Sequence, residues 1–155
     1  MSPKDWINAD FLRGRTVLVT GAAGTIGAAL CERLVRYGAT VRCFDHDESG
    51  LFYVHERLRG FGPVAPQLGD IRDLERLRFA MHGVDVVFHT AALKHVGLGE
   101  YNPFEVVRTN LEGLNNIIRV ALDNDVDRVV FTSSDKAVNP TNVMGASKMM
   151  GERLV

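Results

Sequence analysis

A doubly wound α/β sheet, parallel and covered by helices on both faces, is the fold class the sequence predicts. Three observations predict it. Short β-branched runs alternate five times with amphipathic stretches, the pattern of parallel strands joined by helical crossovers. The strand runs are apolar almost without interruption, as strands are when neither face meets water. The first run also ends in a glycine-rich turn that opens directly into a helix.

In chain order, the first strand is TVLVTG (16–21), followed by a helix on TIGAALCERLVRYG. The second strand is TVRCFD (40–45), with its helix on ESGLFYVHERLRGF. VAPQLGD supplies the third strand and DLERLRFAMHG the third helix; VDVVFHTA (84–91) is the fourth strand. A long helix on FEVVRTNLEGLNNIIRVALDND leads to the fifth strand, RVVFTSS (128–134). NVMGASKMMGERLV reads as a helix that reaches Val155 with no glycine cap, proline or polar tail behind it. The expectation is one domain over 1–155, cut after this helix, with a further domain absent. No internal repeat or linker interrupts it.

At 155 residues and 46% hydrophobic side chains, the chain can bury one sizeable core, as a single domain requires. The net charge of −1, with signs interspersed, provides no basic face, which speaks against nucleic acid and anionic membrane as partners. Cys31 and Cys43 form no CxxC pair and read as buried thiols in a reducing compartment. The leader MSPKDWINADFLRGR lacks the apolar segment of a signal peptide, and no run matches a membrane span. A cytoplasmic protein is expected.

Gly21-Ala22-Ala23-Gly24-Thr25-Ile26-Gly27 sits between strand and helix, the context that makes a glycine pattern informative. Gly21 permits the tight turn, Gly24 lets backbone amides approach a pyrophosphate, and Gly27 allows close helix–sheet packing. Unpaired N–H groups of the helix N-terminus would face the anion, with Ala23, Thr25 and Ile26 in the same loop. A tight turn without a ligand is the alternative. Asp45 closes strand two, where a carboxylate can accept both ribose hydroxyls of an adenosine and repel a 2′-phosphate. That favours NAD over NADP, although Arg42 and His46 are near enough in sequence to blur the preference. Asp70 and Ile71 follow strand three at the same edge, where Asp70 is either an acceptor for the adenine amino group or a solvated loop acid. Ala91, Ala92 and Leu93, after strand four, would keep the backbone close to the cofactor.

TGAAGTIG, GDIRD, HTAALKH, YNPFEVVRTN and above all SSDKAVNPTNVMGASK resemble the capsule and flagellin-glycosylation branch of the short-chain dehydrogenase/reductases. Those are UDP-N-acetylglucosamine 4,6-dehydratases, some of them also 5-epimerases. The resemblance spans about residues 14 to 155, and the block from Ser133 to Lys148 is its most specific part. It implies an extended-type Rossmann fold of which this chain is the N-terminal part, the C-terminal half supplying most of the nucleotide-sugar pocket. Three features depart from the wider pattern. The superfamily's YxxxK is Met144-Gly145-Ala146-Ser147-Lys148, a thioether where a tyrosine usually carries the proton, as in part of the branch. STDK appears as Ser133-Ser134-Asp135-Lys136, one hydroxyl for another. The short leader predicts a soluble member without the N-terminal region of the long membrane-anchored ones.

In the implied reaction, hydride leaves C4 of a UDP-amino sugar for NAD, water is lost across C5 and C6, and hydride returns to C6. The resemblance gives Lys148 the nicotinamide ribose, one helical turn beyond Met144 on the same face. It gives Ser134 the relay of the C4-hydroxyl proton, and lets Asp135 and Lys136 divide acid and base duties. On spacing alone, an inert exposed Asp–Lys pair is the competing reading. Lys94 and His95 lie where cofactor and sugar would meet, and are expected to contact the substrate. His89 and His95 lack the carboxylate pattern of a metal site and read as packed or ribose-facing, so no metal is expected. Asn110 either braces the catalytic strand, as the resemblance implies, or faces solvent.

A nucleotide-sugar 4-epimerase is weakened by the missing tyrosine at Met144. A stand-alone dinucleotide-binding module is the reading from another class, supported by the abrupt end at Val155. A cofactor half alone would turn over little substrate and, with apolar surface left open, would self-associate.

Overall fold

The computed structural model describes residues 9–155. Most of the leader, including the part read as lacking a signal-peptide core, lies outside the described residues. Five parallel strands, β1 (Thr16–Thr20), β2 (Thr40–Asp45), β3 (Val64–Leu68), β4 (Val86–His89) and β5 (Arg128–Phe131), form one sheet in the order β3-β2-β1-β4-β5. Chain order reverses between β1 and β4, and at such a switch point the strand ends open a crevice.

Alternation along β1 divides the core in two. Val17 and Val19 face one side, packing with Val41 and Cys43 of β2 against Cys31, Leu34, Leu51 and Leu58. Those four come from α1 (Thr25–Arg36) and α2 (Glu48–Leu58). Leu18, Phe44 and Val87 face the other side, against Leu77 and Met81 of α3 (Leu74–Met81) and Ile117 and Val120 of α6 (Gly113–Asp123). The three- and four-residue spacing of these positions gives each helix a single apolar stripe. Full burial of a leucine or isoleucine contributes about 1.5–3 kcal/mol. Helix starts are fixed by short polar side chains: Asp47 accepts from the Gly50 amide at 3.0 Å and Asp73 from the Arg76 amide at 3.0 Å. Cys31 and Cys43 are free, buried thiols whose sulfurs lie 3.5 Å apart; that contact and burial push the Cys31 pKa upward, away from reactivity.

The structure corrects the reading of continuous strand coverage. Both faces are closed over β1, β2 and β4, but β5 is an edge strand with Arg128 exposed and Val130 at 42% exposure. Its apolar run is therefore only half used within this chain. β3, the other edge, carries Pro66, which an edge strand tolerates because no ladder donor is lost there. The long helix is also more structured than its sequence suggests. α5 (Pro103–Val107) passes through a π-helical turn at Arg108–Glu112 into α6, and a short helix α4 (Val96–Tyr101) precedes it. Gly97 and Gly99 hide α4 in the sequence. The final helix, α7, spans Val143–Leu154 and is capped by Asn142, whose side chain accepts from the Gly145 amide at 2.8 Å.

Candidate cofactor cleft and catalytic turn

The turn after β1 is built by backbone contacts that only glycine allows. Gly21 has φ +71°, and a Cβ there would lie 2.7 Å from the Ala91 amide nitrogen on the loop after β4. A Cβ on Gly27 would lie 2.1 Å from the Gly21 carbonyl oxygen, so α1 can approach the turn this closely only without a side chain. Gly24 belongs to the turn through its backbone. Its amide donates within the turn to Gly21 O at 3.0 Å, its φ of −73° suits any residue, and it caps α1 without a side-chain acceptor. The donors left for a ligand are the first amides of α1, beginning with Thr25 and Ile26, which have no partner one turn back.

This turn forms one wall of a cleft of about 770 Å³ at the carboxyl ends of the strands. The cleft is lined by all the residues expected to hold cofactor except Lys148: Gly21, Ala23, Gly24, Thr25, Ile26 and Gly27, then Asp45, Asp70, Ile71, Ala91 and Ala92. Lys94 and His95 line it as well, both exposed. Asp45 is 8% exposed and braces the turn: Oδ2 accepts from the Ala23 amide at 2.9 Å and Oδ1 from the Asp47 amide at 3.1 Å. Lone pairs remain on both oxygens, as ribose hydroxyls would require. Arg42 is removed from consideration for a 2′-phosphate, because its guanidinium donates to the Ala80 and His82 carbonyls at 2.7 Å. Asp70 is no free loop acid. Arg72 donates to both of its oxygens, at 2.6–3.0 Å, and this pairing holds its carboxyl below the usual range.

The residues assigned to chemistry do not line this cleft. Ser134 caps a short 3₁₀ turn at Asp135–Ala137, where its hydroxyl accepts from the Lys136 amide at 3.2 Å and donates to Asp135 Oδ1 at 2.9 Å. The Ser134 hydroxyl and then Lys136, with Nζ 3.5 Å from Oδ1, lower the pKa of fully exposed Asp135. Met144 and Lys148 are buried on the inner side of α7. The Lys148 ammonium donates to the Thr132 carbonyl at 2.8 Å, lies 4.5 Å from the Phe131 ring, and is lowered by burial to about 8. α7 and the Asp135–Ala137 turn are in close contact: a Cβ on Gly145 would lie 2.4 Å from the Lys136 carbonyl oxygen.

Asn110 faces inward, not to solvent. From the π-helical turn it accepts from the Leu93 amide at 2.8 Å and donates to the Leu93 carbonyl at 3.0 Å and to Ser147 Oγ at 2.9 Å. It therefore ties the loop after β4 to α7. His89 is fully buried, with Nδ1 2.7 Å from Thr20 Oγ1 and its ring stacked on Phe131. Burial, followed by the nearby Lys148 charge, lowers it to about 3, so it is neutral. Its Nε2 has no partner. Arg72, Glu105 and Thr109 also line the cleft, although the sequence reading gave none of them a place there, and His46 lines it too. Only His46 carried a signal, its position directly after Asp45. Among the described residues no group of three or more His, Cys, Asp or Glu side chains is arranged to hold a metal, and no helix is long and apolar enough to cross a membrane.

A family described as "Polysaccharide biosynthesis protein" matches residues 17–155. An uncharacterized membrane protein of Methanocaldococcus jannaschii is 47% identical over 147 residues, covering 94% of this chain and 44% of that protein. The UDP-N-acetylglucosamine 4,6-dehydratase (inverting) of Campylobacter jejuni is 36% identical, covering 91% of this chain and 42% of that enzyme. Among solved structures, Pen from Bacillus thuringiensis superposes with a TM-score of 0.90 at 42% identity, covering 94% of this chain and 45% of the other. The UDP-glucose 4-epimerase of Bifidobacterium longum, in complex with NAD+ and UDP, superposes with a TM-score of 0.81 at 29% identity, covering 90% and 47%. The chain thus spans less than half the length of the relatives it matches.

Proposed function

The chain belongs to the polysaccharide biosynthesis protein family, in the capsule-type branch of the short-chain dehydrogenase/reductases, and from that premise we propose that it forms the NAD-binding half of a 4,6-dehydratase acting on a UDP-amino sugar. The cradle fits the cofactor: two positions that a Cβ would obstruct, uncapped amides at the start of α1 and a buried carboxylate at the end of β2 suit a pyrophosphate and an adenosine ribose. In this reading NAD is preferred over NADP: a carboxylate at the end of β2 would repel a 2′-phosphate, and Arg42 is engaged elsewhere. Held by that cradle, NAD would supply a reversible hydride acceptor, taking hydride from C4 and returning it at C6 without net consumption.

The observation that carries dehydration over epimerisation is Met144, a buried thioether where a tyrosine would exchange the C4-hydroxyl proton. Proton handling then falls to the exposed turn. Ser134 Oγ keeps a free lone pair for the C4 hydroxyl while donating its own proton to Asp135, which is a carboxylate at neutral pH. Asp135, once protonated, returns that proton to the departing C6 hydroxyl, which leaves as water. The elimination also needs a base for the C5 proton, and Lys136 is the group this turn offers for that duty. Lys148 supplies positive field beside the nicotinamide ribose, and Lys94 and His95 at the rim face the sugar phosphates.

Two further parts of the reading rest on surface and composition. Exposed Leu98, Tyr101 and Phe104 on α4 and α5 support self-association, and the paired free thiols suit the cytoplasm. The test is to incubate this chain, and its full gene product, with UDP-N-acetylglucosamine and follow product mass and proton NMR. Loss of one water with the full product, and not with this chain alone, is the expected result. An unchanged mass with inverted C4 would select the epimerase, while bound NAD without any product would leave a dinucleotide-binding module.

A further inference from the structure

The end of the cleft beside β3 has two walls that come from distant parts of the chain, and one side chain joins them. Asp70 and Arg72 lie just beyond β3; Glu105 belongs to α5, beyond β4. The Arg72 guanidinium uses Nε and one terminal nitrogen on the Asp70 carboxylate, and its other terminal nitrogen donates to Glu105 Oε2 at 2.9 Å. The planar fork suits this double engagement, which a lysine could not reproduce. Its backbone is fixed as well, because Asn116 of α6 donates to the Ile71 and Arg72 carbonyls at 3.2 and 3.3 Å. Glu105 is steadied on its far side by Arg108, at 3.4 Å. Asp70, Arg72 and Glu105 all line the cleft.

We propose that Arg72 and Glu105 form a strap across the adenine end of the cofactor cleft, and that this strap sets how slowly the dinucleotide leaves. The inference rests on the cofactor reading above and deepens it. A cofactor that is reduced and reoxidised within one turnover need not exchange, so slow release is compatible with the chemistry, whereas a cosubstrate dehydrogenase would be throttled by it. The strap acts through an ion pair whose partners are 35% and 48% exposed, so its strength is modest and screened by salt. Cutting it at Glu105 leaves the Asp70–Arg72 pair intact, so the adenine-facing carboxylate keeps its setting while the span between the walls is lost.

The test uses the chain loaded with NADH, whose release is followed by fluorescence after a chase with excess NAD. Glu105→Gln and Arg72→Lys are expected to release NADH about two- to fivefold faster than wild type. Raising salt from about 0.05 to about 0.5 M should accelerate wild type toward the variants and change the variants little. Glu75→Gln, which removes a surface ion pair with Arg78 away from the cleft, should release at the wild-type rate. Equal release rates for wild type and Glu105→Gln, with NADH bound by both, would overturn the strap and leave the cofactor site standing. Failure of the wild-type chain to bind NADH at all would overturn both.

Discussion

Lys148 offers a direct measurement of what burying an ammonium costs this fold. The residue is 6% exposed, has one hydrogen-bond partner in the Thr132 carbonyl, and falls from 10.5 to about 8 through desolvation. Between those two values the unfolded chain holds a proton that the folded chain has released. Stability contributed by this group therefore rises with pH from about 8 to about 10.5. At ~1.4 kcal/mol per pH unit, the gain between pH ~7 and pH ~10 is about 2–3 kcal/mol. Lys148→Met removes the titration while keeping an unbranched apolar stem. Urea unfolding of both proteins without cofactor, across that range, isolates the effect, because other titrating groups cancel in the difference. Wild type should gain on Lys148→Met by the stated amount as pH rises. A difference that stays flat would mean that the ammonium is solvated in the folded state, and the placement of Lys148 on the inner side of α7 would have to be abandoned.

Three other perturbations test the site and its scaffold. Gly27→Ala places a Cβ against the Gly21 carbonyl, and the overpacking should destabilise the fold by about 1–3 kcal/mol and weaken NAD binding at least about tenfold, roughly 1.4 kcal/mol, by thermal melting and calorimetry. Asp45→Asn keeps an acceptor for the Ala23 amide but drops the charge; calorimetry should show weaker NAD binding and a narrowed preference over NADP. His89 titrates in the folded chain only near pH 3, so stability should fall as pH drops from 6.5 toward 3, by roughly 2 kcal/mol at pH ~4.5. A His89→Leu variant should lack that part of the acid sensitivity, and identical acid profiles would refute it.

Much of the fold was legible because its signals are local. β-branched runs and apolar stripes fixed five strands and five of the helices to within a few residues. What escaped depends on tertiary context. α4 forms over a stretch with two glycines. The π-helical turn has no marker except the polarity of Asn110, whose inward course is set by Leu93 and Ser147, remote in sequence. β5 read as fully covered because an apolar run reveals that a face can be buried, not whether a partner is present to bury it. The cofactor cleft was similarly legible where a residue acts through its own backbone or sits at a strand end, as Gly21, Gly27 and Asp45 do. Arg72 and Glu105 were not, since nothing in their spacing says that a guanidinium after β3 reaches a carboxylate on α5.

The same distinction separates binding from chemistry in this protein. The cradle at β1 is preorganised by contacts that lie wholly within the chain: a positive φ, two close backbone approaches and a buried carboxylate already bonded to the turn it supports. It should bind a dinucleotide whatever lies beyond α7. The proposed acid–base turn at Ser134–Lys136 is the opposite case, because Asp135 is fully exposed with its pKa lowered by the Ser134 hydroxyl and Lys136, and the Lys148 ammonium is held by the Thr132 carbonyl. Protonating Asp135 for its return step requires exclusion of water from that turn, which a seated sugar and its enclosing walls would bring about. A Ser134→Ala variant of the full gene product should accordingly lose turnover while NAD affinity stays at the wild-type value. Equal loss of both would mean that turn and cradle are one unit, contrary to the separation the geometry draws.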